Sequence, residues 1–69
     1  MIYPTYTTLE ESVAMLVPIG DRHGLNSSVE IHSDWAKVCL FLNGVLHEVL
    51  ELIKVDGSVF CGTVYFRTA

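Results

Sequence analysis

Residues 35–67 read WAKVCLFLNGVLHEVLELIKVDGSVFCGTVYFR, and two dipeptides, Asn43-Gly44 and Asp56-Gly57, divide this stretch into three apolar runs of strand length. Both dipeptides suit the type I′ loop, whose two central residues need φ > 0 and whose twist matches that of paired antiparallel strands. The stretch therefore predicts a meander. A two-residue loop at Asn43-Gly44 sets Leu42 opposite Val45, and that register pairs Leu40 with His47, Val38 with Val49 and Ala36 with Glu51 on one face. The other face pairs Phe41 with Leu46, Cys39 with Glu48, Lys37 with Leu50 and Trp35 with Leu52. A matching loop at Asp56-Gly57 opposes Val55 to Ser58, Ile53 to Phe60, Glu51 to Gly62, Val49 to Val64 and His47 to Phe66. The first face is then apolar almost throughout and is the expected core.

The second face mixes large apolar groups with charges, as contact surfaces do. Trp35, Lys37, Phe41, Glu48, Leu50, Tyr65 and Arg67 are the candidate partner-binding residues. Aromatic and arginine side chains are the groups that most often dominate interfaces, and Glu48 between Lys37 and Arg67 would supply orientation more than energy.

A helix over 45–55 competes for the middle run, since Leu46, Val49, Leu50 and Ile53 follow helical spacing and Glu51 could pair with Lys54. The strand is the better reading. Glycine-containing turns bracket the segment, and β-branched Val45, Val49, Ile53 and Val55 recur at even spacing.

Upstream, Val29 to His32 reads as a further strand, turning through Ser33-Asp34 so that Ile31 opposes Ala36, Val29 opposes Val38 and Glu30 opposes Lys37. Ahead of it, Thr7 with Glu10 and Thr8 with Glu11 both have capping-box spacing before an apolar periodic segment. This predicts a helix from about Thr8 to Val17, with Leu9, Val13, Leu16 and Val17 on one stripe and Pro18 ending it. Residues 19–28 form a Gly- and polar-rich connector in which Asp21, Arg22 and His23 are the candidate polar contacts. Met1 to Tyr6 is a short lead, an edge strand or an ordered arm. The expected architecture is α+β, an N-terminal helix packed on a four-stranded antiparallel meander, in one domain spanning 1–69.

Composition narrows function more than any motif does. Of the 69 residues 51% are hydrophobic and only 17% charged, while a chain this small buries only about 60% of its unfolded surface. Self-association or a tightly held protein partner is the economical way to cover the remainder. A net charge of −4, with Arg22, Lys37, Lys54 and Arg67 isolated in sequence, argues against direct nucleic-acid binding. No apolar run reaches the about 18 residues that span a bilayer, and Met1-Ile2-Tyr3-Pro4 lacks the basic region of a signal peptide, so a cytoplasmic location with no membrane partner is expected. Cys39 and Cys61 read as thiols of a reducing compartment.

The chemistry-bearing residues are few. His23, His32, His47, Cys39 and Cys61 include no pair at the spacing that puts two metal donors on one short element, so neither metal nor cofactor is expected. Cys39, Glu48 and Tyr65 line up across strands in the expected register, but no histidine base stands near them and a structural ion-pair network is the simpler reading. The sequence thus supports a non-enzymatic, small acidic protein-binding module or inhibitor that occupies a surface of a larger macromolecule, as a homo-oligomer. Accessory proteins of phages and plasmids offer an analogy of general profile. The alternative is a small-ligand or metal-binding domain using the 19–28 connector and the histidines.

Overall fold

Helix α1 (Leu9–Arg22) packs across one face of a sheet whose strands β1 (Asn26–Ile31), β2 (Trp35–Leu42), β3 (Val45–Val55) and β4 (Ser58–Phe66) lie in the order β1-β2-β3-β4, every neighbouring pair antiparallel. This is a computed structural model that describes residues 8–68. The Met1 to Tyr6 lead and the Thr7 cap lie outside the described residues.

The loops that define the meander behave as their residues dictate. Asn43 and Asp56 both have φ 50°, followed by Gly44 at 78° and Gly57 at 79°, so both connections are left-handed two-residue turns. The middle run is strand over its whole length, not helix. The β1–β2 register is also as expected, with Ile31 opposite Ala36, Glu30 opposite Lys37 and Val29 opposite Val38, although β1 begins earlier, at Asn26.

The β2–β3 register departs from the expectation. Leu42 faces Val45 and Phe41 faces Leu46, but Leu40 then faces Glu48, leaving His47 as an extra residue in β3. Because side chains alternate with period 2, this insertion reverses the facing of β3 beyond it. Leu50 and Leu52 turn toward the helix beside Val38 and Ala36, while Val49, Glu51 and Ile53 turn away. The β3–β4 pairing keeps its expected register from Val55–Ser58 through Leu50–Thr63, which carries Val59 and Cys61 to the helix side as well. A second extra residue, Val64, then restores Tyr65 to the outer face opposite Val49. The core is correspondingly Leu9 and Val13 of the helix against Ala36, Val38, Leu40, Leu52 and Val59, with Leu52 wholly enclosed. The expected core residues Ile53 and Phe60 are outside it because a leucine pair, Leu50 and Leu52, replaces Val49 and Glu51 under the helix. Burying Glu51 there would have left a carboxylate without a partner.

The helix begins as its capping box requires, with Thr8 Oγ1 accepting from the Glu11 N–H at 3.0 Å. The buried Ser12 hydroxyl donates to the Thr8 carbonyl at 3.2 Å. Its end is a correction, since α1 runs through Pro18 to Arg22. Pro18 denies a partner only to the Ala14 carbonyl, and both residues are exposed, so that group is lost on the solvent side of the helix, where it costs least. The last turn is held by a Schellman arrangement in which Gly24, at φ 75°, donates to Asp21 and Leu25 donates to Gly20 at 2.9 Å. Leu25 packs on the core, as do Leu16 and Val17 before the proline. The expected connector is therefore mostly structured: Asp21 and Arg22 are helical, His23 is the C-cap, and residues 26–28 belong to β1.

Two predictions test this packing. Leu52→Ala should destabilise by about 2–5 kcal/mol, as a cavity under the helix, whereas Ile53→Ala should cost less than about 1 kcal/mol, and denaturant titration of both variants measures the contrast. Gly44→Val should lose about 1–2 kcal/mol or more by thermal melting, because a β-branched residue must then adopt φ near +78°.

Candidate functional site

The face turned away from α1 is built of rows that run across the strands. Trp35, Ile53 and Phe60 occupy successive positions on β2, β3 and β4. Beside them runs a charged row, Glu30, Lys37 and Glu51, ending at Gly62, whose missing side chain leaves a notch between Phe60 and Tyr65. The next row is Cys39, Val49 and Tyr65, and beyond it Phe41 pairs with Leu46. Phe60 is 61% exposed, Ile53 45% and Tyr65 42%, whereas Trp35, Phe41 and Leu46 are half-buried and Val49, between Cys39 and Tyr65, is buried. A shallow recess lies among Asp34, Trp35, Glu51 and Ile53.

At the β1–β2 corner the polar groups are ordered by one another. The His32 ring stacks on Trp35 with centroids 4.3 Å apart and planes at 20°. His32 Nε2 lies 2.6 Å from Glu30 Oε2, where it can only donate, and Lys37 Nζ is 3.9 Å from the other carboxylate oxygen. That hydrogen bond from His32, and secondarily the Lys37 charge, hold the Glu30 carboxyl below its ordinary range. The result is an indole pinned flat at the rim of the outer face. All of these groups are solvated, so the network fixes orientation and adds little stability.

Of the candidate partner-binding residues, Trp35, Lys37, Phe41 and Tyr65 share this face. Glu48 and Leu50 do not. The His47 insertion puts both on the helix side, where the Thr63 hydroxyl donates to Glu48 at 3.1 Å. Arg67 follows β4, donating its N–H to the His47 carbonyl, and borders a recess with Leu42, Asn43, Val45 and His47. Ile53 and Phe60, expected in the core, complete the Trp35 row instead, and only the position of the bulge distinguishes their face from the inner one. The connector candidates Asp21, Arg22 and His23 are exposed at the far end of α1.

The arrangement separates the chemistry-bearing residues that the expected register aligned. Cys39 and Tyr65 are on the outer face and Glu48 on the inner one, so the aligned trio of thiol, carboxylate and phenol does not form. Cys61 is also on the inner face, where burial, then the Glu48 charge, pushes its thiol up and away from the reactive thiolate. His32 borders a recess with Thr8 and Leu9 at the helix start, whereas His23 caps the helix end, a separation of about 20 Å for 14 residues. Among the described residues no three His, Cys, Asp or Glu side chains converge as a metal site, and no helix is long and apolar enough to cross a membrane.

The Glu30 linkage gives a pH prediction. A carboxyl whose folded pKa is depressed contributes fully above its unfolded pKa and loses that contribution as pH falls through the depressed folded value. Acid titration followed by Trp35 emission should therefore show a step below the ordinary carboxylate range as His32 loses its acceptor, and Glu30→Gln should remove that step with only a slight fall in the melting temperature at neutral pH.

No family model, curated protein or solved structure matches this chain.

Proposed function

We propose that this chain is a non-enzymatic binding module that uses the outer face of its sheet to occupy a surface of a larger protein, and that it does so as a homo-oligomer in the cytoplasm. One observation carries the reading: the row Trp35, Ile53, Phe60 crosses three strands on the face opposite the helix, with Ile53 and Phe60 open to solvent and Trp35 half-buried beneath the His32 ring. Such a row offers rigid apolar anchors, and the adjoining Glu30, Lys37 and Glu51 supply a polar border that fixes orientation. An acidic chain with isolated cations favours a protein partner over nucleic acid. Two free thiols suit a reducing compartment.

The test is capture from the source cell with cross-linking and mass identification, comparing the unmodified chain with Trp35→Ala and Phe60→Ala. Both variants should keep the circular dichroism of the parent and lose at least about 90% of the captured partner, the loss expected for a central anchor worth 2 kcal/mol or more. Equal capture by folded variants would remove the outer face from the reading. The alternative, a metal or small-ligand domain relying on His23 and His32, predicts a zinc-dependent rise in melting temperature that this reading does not.

A further inference from the structure

We propose that two copies of this chain join by antiparallel pairing of β4 with β4, giving a continuous eight-stranded sheet with both helices on one side. This inference rests on the homo-oligomer part of the reading above and is independent of the partner. The outer edge of β4 has no strand beside it among the described residues. Lys54 directs its N–H toward β2, bonding the Asp34 carbonyl, so its β4 partner Val59 belongs to a pair without hydrogen bonds and turns its own N–H and C=O outward. By alternation Cys61 and Thr63 do the same. An edge of this kind is a template for another strand.

The two edges of the sheet differ in their protection. β1 is short and polar, carries Glu30 in its network with His32 and Lys37, and is the strand α1 lies nearest. β4 spans nine residues, SVFCGTVYF, with no charge and no proline, and Phe60, Val64, Tyr65 and Phe66 stand exposed on it. Charge and proline are the devices that block edge pairing, and β4 has neither.

Charge complementarity identifies the occupant as a second copy in antiparallel orientation. Each chain carries −4, so copies repel except where the approaching surface is neutral, as β4 is. The charges flanking the strand are opposite in sign, Asp56 before it and Arg67 after it. Antiparallel pairing about a dyad at Cys61, which sets Val59 opposite Thr63, brings Arg67 of one copy, beyond the extra residue Val64, to Asp56 of the other, twice; parallel pairing would oppose like charges at both ends. The dyad is then perpendicular to the sheet, and the two Trp35, Ile53, Phe60 rows merge into one outer face.

Sedimentation across micromolar concentrations and amide exchange at two dilutions test this. The unmodified chain should sediment at twice 7.7 kDa, with Val59, Cys61 and Thr63 amides protected when concentrated and exchanging freely on dilution. Thr63→Pro removes an outward N–H and should give a folded chain of monomer mass, Arg67→Glu should weaken the dimer about tenfold, and Trp35→Ala should remain dimeric. A folded Thr63→Pro variant that stays dimeric would overturn edge pairing and leave the oligomer reading intact. A 7.7 kDa mass for the unmodified chain would overturn both, and unchanging protection at that mass would assign the edge to an occupant within the same chain. Exchange on the unmodified chain decides the matter even if Thr63→Pro fails to fold.

Discussion

His47 adds one residue to β3 that β2 does not match, and the facing of β3 beyond it, and of β4 as far as Thr63, follows from that insertion. Strand side chains alternate strictly, so one extra residue exchanges the two faces of everything that pairs downstream. Here the exchange brings Leu50, Leu52, Val59 and Cys61 under α1 and sends Glu51, Ile53 and Phe60 outward. The driving force is visible in the residues exchanged. An unshifted β3 would bury the Glu51 carboxylate against the helix, at a cost of several kcal/mol unless neutralised, while the shifted one encloses Leu52 completely.

Much of the fold was legible because its signals are local. Asn43-Gly44, Asp56-Gly57 and Thr8 with Glu11 each specify a conformation through two to four adjacent residues, and the structure has each as expected. The β1–β2 register followed from a short turn with no insertion in it. The helix end was not legible, since Pro18 is a stop signal on its own and is outweighed only by the packing of Leu16, Val17 and Leu25 and by the Gly24 cap. Bulges leave no comparable mark. His47 and Val64 differ in no local way from ordinary strand residues, and their unpaired status is a compromise between turn geometry and burial summed over the sheet.

The candidate surface inherits that division. Trp35, Lys37 and Phe41 precede the insertion, so their facing could be read directly, and Tyr65 returned to the same side only because Val64 reverses the effect of His47. Glu48 and Leu50 lie between the two insertions and were carried inward. What results, among the described residues, is a sheet with helix α1 on one side, a pinned indole, solvent-facing Ile53 and Phe60 on the other, and an uncharged edge. A chain of this size has little stability to spare as a monomer, so leaving this much apolar surface open favours a use for it in association.

The register beyond His47 can be measured without any variant. Lys37 with Glu51 and Cys39 with Val49 are pairs without hydrogen bonds in the shifted ladder, the pairs whose α-protons approach most closely. Nuclear Overhauser spectra of the labelled chain should show strong α-proton cross-peaks between Lys37 and Glu51 and between Cys39 and Val49. Cross-peaks joining Lys37 to Leu50 and Cys39 to Glu48 would mean that β3 pairs without the insertion, and the assignment of inner and outer faces would be contradicted.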